Sequence, residues 1–316
     1  MSGLQNIEMM ASSRERTRAL LCVVWGLLVA SLSWSFLHEV FKQSFQNGYS
    51  SQSVLVPFIT AYLLWSERKR IFSRPRLSAY LGVPIVVIGI LFTFAAPNSV
   101  ISATAAILPD IKMLGILLMA VGGFAALYGV DALRSAAFPF ALLLLTLPLP
   151  GPLIDRIIYF LQAQSTSLAY GLFSLIGMPV YREGFILRMP GVSIEVAKEC
   201  SGINSSVALL ITALLVARET LRTSWRRAIL VLITVPLSVL KNAVRIVTLT
   251  LLAMYVDPSF LTGRLHHEGG FVFFLIALVL VYPIWKLLQK SELHHPSQSG
   301  DAAPASSQVL SQASGR

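Results

Sequence analysis

Three reactive or charged residues follow one another along the second half of this chain. Cys200 opens a long apolar run, Arg245 lies inside the next one, and His266 lies just beyond that run's end. A cysteine nucleophile needs a cation for the developing oxyanion and a general base, which a guanidinium and an imidazole supply. The pattern therefore indicates cysteine-dependent acyl transfer at a membrane surface rather than a pore.

The surroundings of these residues suit the same chemistry. A thiolate at the start of a helix is stabilised by the helix dipole and by the free backbone N–H groups of the first turn. Those N–H groups and Arg245 would donate to the oxyanion, and His266 would act as base or acid near neutral pH. The predicted supporting residues are Ser201, Gly202, Asn204 and Asn242.

Each reactive residue also has an ordinary structural interpretation. Cys22, inside a run of leucine and valine, is interpreted as a small apolar filler, and Cys200 could be one too. Arg245 could pair with a structural carboxylate, and His266 could be a solvated loop residue. His266 and His267 are too close in sequence to make a zinc site unaided, so neither a metal nor a cofactor is expected.

The composition is that of a helical membrane protein. Of 316 residues, 55% are hydrophobic and 13% are charged, and the mean hydropathy is +0.71, well above that of soluble domains. The first apolar run lacks a cleavage site and is predicted to be a retained signal anchor. The net charge of +10 does not indicate nucleic-acid binding, because the basic residues cluster in short loops between apolar runs.

The apolar runs predict about eight transmembrane helices. They are residues 19–37, 53–65, 77–96, 111–130, 136–149, 202–217, 228–255 and 270–288. With both chain ends in the cytoplasm, every basic loop cluster falls on the cytoplasmic side, as the positive-inside rule requires. Arg245 follows the cytoplasmic Arg227 by about 27 Å of helix, which predicts that it lies near the outer face, at the depth of Cys200.

The segment between the fifth and sixth predicted spans, residues 150–199, could cross the membrane twice or not at all, and its second part, residues 180–198, carries too many charges for a span. Residues 152–177 are predicted to form an amphipathic helix at the outer interface, and residues 180–196 a short hairpin cap that turns at residues 189–191. The predicted architecture is an all-α integral membrane domain, residues 1–290, followed by a disordered cytoplasmic tail, residues 291–316. The predicted polar positions of the amphipathic helix are Asp155, Arg156, Gln162 and Gln164.

Three short motifs resemble those of the exosortase/archaeosortase family, membrane-embedded cysteine transpeptidases of prokaryotes. Residues 196–205, Val-Ala-Lys-Glu-Cys-Ser-Gly-Ile-Asn-Ser, resemble the family's cysteine box. Residues 241–245, Lys-Asn-Ala-Val-Arg, resemble its Asn-x-x-Arg box, and residues 266–270 resemble its third box, a histidine followed four residues later by glycine. The resemblance covers most of the chain, from about residue 53 to residue 288.

The resemblance implies a role for each reactive residue. Cys200 would be the nucleophile and Arg245 would stabilise the transition state. His266 would be the acid/base, with His267 as the alternative because the histidine is doubled. The enzyme would be a cysteine peptidase or transpeptidase at the outer, periplasmic face of the cytoplasmic (inner) membrane, and membrane lipids would surround it.

The resemblance also implies a substrate class. The substrates would be exported proteins that end in a Pro-Glu-Pro-like (PEP-CTERM) motif, a transmembrane helix and a basic cluster. They would be cleaved and transferred to an unidentified acceptor nucleophile, on the cell surface or linked to exopolysaccharide. The cations predicted to meet the motif's glutamate are Arg182, Arg188 and Lys198.

Two other classes of function compete with this interpretation. A multi-span transporter would use Arg245 and the outer histidines for an anionic substrate, and Cys200 would be incidental. The third to fifth predicted spans are almost uncharged, which argues against a polar path through them. A non-catalytic assembly factor of exopolysaccharide export would tolerate the loss of all three residues.

Overall fold

The protein is mostly helical, with one small antiparallel sheet. The computed structural model describes residues 2–38, 42, 51–73, 77–94, 108–147, 151–198, 202–261 and 270–294. The chain divides into two compact units, Met1–Ala208 and Leu209–Arg316.

The described helices differ widely in length. The first unit contains α1 (Ser2–Leu32), α2 (Ser51–Ser66), α3 (Arg68–Ile71), α4 (Ala79–Phe94), α5 (Leu108–Tyr128), α6 (Val130–Ser135), α7 (Ala137–Leu143), a 3-10 turn (Leu144–Thr146) and α8 (Gly151–Leu175). Helix α9 (Ile203–Thr220) begins in the first unit and ends in the second. The second unit continues with α10 (Ser224–Leu232), α11 (Thr234–Tyr255), a 3-10 turn (Pro258–Leu261) and α12 (Gly270–His294).

Four stretches among the described residues are long and apolar enough to cross a membrane. They are Ile111–Tyr128, Ile203–Thr220, Ser224–Tyr255 and Gly270–Glu292. The number rises to five if Ala137–Thr146 and Gly151–Leu175, which meet at 87°, form one broken span. Two further apolar helices, Leu55–Ser66 and Ala79–Phe94, are shorter. These helices support a multi-pass membrane protein, while the number of eight spans and their orientation stay predictions.

Helices α4 and α5 pack closely because glycines line their contact. A Cβ atom added at Gly82 would lie 2.4 Å from both the Cβ and the backbone nitrogen of Ala126. A Cβ atom at Gly122 would lie 2.9 Å from the backbone nitrogen of Val86. Small residues let helix backbones approach each other where lipid supplies no hydrophobic driving force for association.

Side chains of the first unit also join its helices through hydrogen bonds and apolar contacts. The indole N–H of Trp25 in α1 donates to the carbonyl of Met119 in α5 at 3.0 Å, and the hydroxyl of Thr60 in α2 donates to the carbonyl of Pro139 in α7 at 3.3 Å. Cys22 is partly buried and packs as an apolar side chain, as the sequence predicts. The buried cluster that it touches consists of Ile71, Phe124, Tyr128, Ala132 and Ala136.

The sheet consists of β1 (Tyr181–Glu183), β2 (Ile186–Met189) and β3 (Val192–Glu195), all antiparallel and in sequence order. Gly184 and Gly191 take positive φ angles of 61° and 82° in the two tight turns, a conformation that glycine adopts without strain. The turn between β2 and β3 lies where the sequence predicts it, and β1 is an additional strand. That this sheet caps the outer face of the membrane stays a prediction.

Helix α8 buries one face, and that face corrects one sequence prediction. Gln162 is 6% exposed, whereas Asp155, Arg156 and Gln164 are exposed as predicted. The prediction for Gln162 is wrong because helical spacing places it in line with buried positions one and two turns away. The other buried residues of this face are Ile158, Leu161, Ser165, Thr166, Ala169 and Phe173.

The second unit has its own apolar core and a polar contact at one end. The buried core consists of Leu209, Ala217, Leu221, Leu230, Leu237, Ala277 and Val281. The carboxylate of Glu292 in α12 accepts hydrogen bonds from the backbone N–H groups of Arg222 and Thr223, at 3.0 and 2.7 Å. Helix α12 continues to His294, past residue 291, where the sequence predicts the tail to begin. The rest of the predicted tail lies outside the described residues.

Candidate functional site

The predicted site residues fall into three groups. Cys200, Ser201, His266 and His267 lie outside the described residues. Gly202 and Asn204 lie at the start of α9, and Asn242 and Arg245 lie in the middle of α11. The predicted substrate-binding residues Arg182, Arg188 and Lys198 lie in the sheet and just after it. The described part of the chain therefore gives the supports of Cys200 on both sides and, in the other unit, the surroundings of Arg245.

The segment that leads to Cys200 is fixed at Val196. The side chain of Val196 is 1% exposed, and its backbone N–H donates to the carbonyl of Phe185 at 3.0 Å. Its own carbonyl accepts a hydrogen bond from the side-chain amide of Gln162. Both polar groups of this buried residue are thus satisfied, one by the sheet and one by α8.

Two further contacts hold this segment and the sheet against α8. The ring of Tyr159 packs edge-to-face on Phe185, with ring centroids 5.5 Å apart. The ammonium group of Lys198 lies 3.3 Å from the carboxylate of Asp155, and both side chains are exposed. An exposed ion pair contributes at most about 1 kcal/mol, so the buried contact of Val196 is the stronger attachment. Asp155, Tyr159 and Gln162 lie about one turn apart along α8.

The helix that follows Cys200, α9, begins three residues later, at Ile203. Gly202 has a φ angle of 71°, and its carbonyl accepts hydrogen bonds from the N–H of Ser206 at 3.0 Å and from the Ser205 and Ser206 hydroxyls at 3.0 and 2.8 Å. The N-terminal end of a helix as long as α9 carries a partial positive charge, which favours an anion such as a thiolate. The side-chain oxygen of Asn204 is buried and has no hydrogen-bond partner among the described residues.

Helix α11 carries a polar face across an otherwise apolar segment. Lys241 and Asn242 are 2% and 1% exposed, Ser238 is buried beside them along the helix, and Arg245 is half-buried. Residues three or four apart share a helix face, so these side chains form one stripe. A lysine in an apolar helix can reach the water interface or lie in such a stripe, and the structure buries Lys241 in the stripe. Charged residues inside membrane helices usually face the protein interior and mark a functional site.

The three predicted substrate-binding cations already bind groups of their own chain. Arg182 donates to the carbonyl of Gly184 at 2.9 Å and to the hydroxyl of Ser167 at 2.7 Å. Arg188 lies 2.8 Å from the carboxylate of Glu183, and the side chains of both residues are exposed. With Lys198 beside Asp155, two of the three cations hold carboxylates at distances that a substrate glutamate would also adopt.

Within the described ranges, no cluster of three or more histidine, cysteine or acidic side chains could hold a metal ion. The sequence does not predict the hydrogen bond between Gln162 and Val196, two residues of this region. The available signal was the position of Gln162, which lies at helical spacing from apolar and small residues, whereas Gln164 lies on the exposed side. The partner of Gln162 lies 34 residues away in sequence, beyond what a local pattern can indicate.

Comparison with known proteins adds one finding. Neither the curated proteins nor the solved structures include a match to this chain. A family model described as transmembrane exosortase matches residues 43–283, which is most of the chain. The matched region includes Cys200, Arg245, His266 and the sheet. It also includes three of the four described stretches that are long enough to cross a membrane, and the fourth, Gly270–Glu292, up to residue 283. The chain belongs to the exosortase family.

Proposed function

We propose that this protein is a cysteine transpeptidase that cleaves C-terminal sorting signals of exported proteins, with Cys200 as its nucleophile. Membership of the exosortase family suggests a membrane transpeptidase that acts on such signals. The observation that best supports Cys200 is the anchoring of the described residues on either side of it. Val196, four residues earlier, is buried and hydrogen-bonded through both backbone groups, and α9 begins three residues later. A catalytic group is most effective where rigid elements hold it in position.

The proposed reaction has two steps. The Cys200 thiolate attacks the scissile carbonyl carbon, and Arg245 with the N–H groups of Ser201 and Gly202 stabilises the oxyanion. His266 protonates the departing amine as the C–N bond breaks, which leaves a thioester on Cys200. An acceptor amine, or water, then attacks the thioester carbonyl and gives its proton to His266, and the Cys200 thiolate departs. His267 is the alternative acid/base, although the spacing to Gly270 favours His266.

The proposed substrates end in a Pro-Glu-Pro-like motif, a transmembrane helix and a basic cluster. Their helix would lie beside the bundle in the cytoplasmic membrane, with the motif at the outer face and both termini of this protein in the cytoplasm. Arg188 and Lys198 would bind the motif's glutamate in place of their present partners, Glu183 and Asp155. Because those ion pairs are exposed, the exchange costs little. Arg182 would bind it by giving up its hydrogen bonds to Gly184 and Ser167.

A reporter protein in cells tests the nucleophile. The reporter carries the motif, helix and basic cluster at its C terminus, and immunoblotting follows its size. We expect Cys200→Ala to abolish processing at equal protein level, whereas the matched control Cys22→Ala processes like wild type. If Cys200→Ala still processes the reporter that wild type processes, the nucleophile assignment is wrong. A transporter or an assembly factor would keep its own activity in Cys200→Ala.

Hydroxylamine separates transfer from hydrolysis. It is a small nucleophile that attacks thioesters, so purified wild-type protein with reporter and hydroxylamine should release the hydroxamate of the cleaved reporter, detectable by mass spectrometry. Release of the free acid alone would indicate a hydrolase.

For the substrate cations, we expect Arg188→Glu and Lys198→Glu to raise the KM for the reporter, and unchanged processing would refute their role.

A further inference from the structure

The buried amide of Gln162 is not explained by the proposed reaction, and its location gives it a role. Gln162 lies on the buried face of α8, one turn after Ile158 and one turn before Ser165 and Thr166. Burying a long polar side chain is unfavourable unless its polar atoms find partners. Its amide nitrogen donates to one specific carbonyl, that of Val196.

Among the described residues before Cys200, Val196 is the last one that is buried. It follows β3 directly, and its N–H bonds back to Phe185 in the turn before β2. Lys198, two residues later, is exposed and forms an ion pair with Asp155 of α8. Cys200 follows Val196 by only four residues. A shift of the Val196 backbone therefore changes the position from which the chain runs to the cysteine.

We infer that Gln162 is a positioning residue for Cys200: its hydrogen bond to Val196 fixes the end of the sheet from which the chain runs to Cys200 and on to α9. The inference rests on the proposed function for its catalytic consequence. It assigns Gln162 no contact with the substrate. Small displacements of a nucleophile reduce the chemical step strongly, by up to about a hundredfold per ångström, while leaving substrate binding almost unchanged.

Gln162→Met is the variant that isolates the hydrogen bond, because methionine has nearly the same length and no N–H donor. Ser165→Ala is its matched control, since Ser165 lies on the same buried face and its hydroxyl has no hydrogen-bond partner among the described residues. Gln162→Glu is the second variant, which keeps the length and replaces the donating nitrogen by oxygen. Thermal melting and gel filtration in detergent verify that each variant is folded before it is assayed.

Two readouts test the inference. In the reporter assay we expect Gln162→Met to lower kcat about tenfold or more with a KM within about twofold of wild type, and Ser165→Ala to change neither. In a Cys22→Ala background, Cys200 is the only thiol of the chain. We expect its rate of alkylation by iodoacetamide to change at least about threefold in Gln162→Met and in Gln162→Glu, but not in Ser165→Ala.

The outcomes separate the two claims. An unchanged alkylation rate in both folded Gln162 variants overturns the positioning role, whatever the reporter assay gives. A loss of activity that appears only as a lower amount of folded protein, with kcat per folded molecule unchanged, also overturns it. A changed alkylation rate together with full processing by Cys200→Ala overturns the proposed function and leaves the positioning of the cysteine box supported.

Discussion

The carboxylate of Glu292 closes one end of the second unit, and its removal should cost measurable stability. It accepts hydrogen bonds from the N–H of Arg222, and from the N–H and the hydroxyl of Thr223 at 2.7 and 2.5 Å. Thr223 is the N-terminal cap of α10, and its own side chain makes no capping bond to that helix. Glu292, from a helix nearly 70 residues later, therefore supplies the negative group that a helix N-terminus favours.

The size of the effect follows from the buried partner of Glu292. Its carboxylate lies 3.5 Å from the guanidinium of Arg226, and the two side chains are 15% and 6% exposed. Removing one member of a buried ion pair costs about 3–5 kcal/mol, because the other charge stays buried without compensation. Arg226 keeps bonds to the Ser291 carbonyl and the Thr223 hydroxyl, at 3.0 and 3.2 Å, which lowers the cost. We therefore expect about 2–4 kcal/mol for Glu292→Ala.

Thermal melting in detergent measures this difference. We expect Glu292→Ala to lower Tm by about 5–10 °C, and Glu292→Gln, which keeps an acceptor oxygen but no charge, to fall in between. Glu219→Ala is the matched control, because Glu219 is an exposed carboxylate near the same end of the unit and should melt like wild type. A Glu292→Ala protein that melts within about 1 °C of wild type would show that the contacts described above do not stabilise the unit.

Two further predictions concern the packing of the first unit. Gly82→Ala should lower Tm by several degrees, because the added Cβ would meet the backbone of Ala126 and overpacking costs about 1–3 kcal/mol. Gly171→Ala is the control, because a Cβ atom at Gly171 would meet no other atom and should leave Tm unchanged. Equal melting of the two variants would contradict the close contact of α4 with α5. Trp25→Phe should cost only about 0.6–1 kcal/mol, because it removes one interhelical hydrogen bond and little apolar surface. Thermal melting measures this loss, with Trp34→Phe as the control because Trp34 is exposed. A loss of stability above about 3 kcal/mol in Trp25→Phe would mean that Trp25 has a packing role beyond that bond.

The sequence predicts those features of the fold that depend on local pattern. Apolar runs whose helical length is close to the thickness of the membrane predict the long helices. The Pro-Gly pair at residues 190–191 predicts the turn between β2 and β3. The identity of the family follows from three short motifs, and the match over residues 43–283 confirms it. Polarity alone predicts an outward-facing Gln162, and there the prediction fails, because the side chain's partner decides its direction.

The features that the sequence does not predict are pairings between distant segments. Gln162 and Val196 are 34 residues apart, and Thr223 and Glu292 are 69 residues apart. Nothing in the local pattern around a glutamine or a glutamate identifies a backbone group on another element as its partner. The burial of Lys241 is a similar case, since a lysine in an apolar helix could equally reach the water interface.

The register of the small sheet has a consequence for insertions and deletions. Leu187 and Met189 point inward and Arg188 points outward, so a slip of one residue would exchange buried and exposed side chains along β2. It would also move the end of β3 by about 3.3 Å relative to α8, which is more than a hydrogen bond to Val196 can follow. Lengthening the turn at Pro190-Gly191 by one residue is thus a change near the surface whose effect reaches the cysteine box.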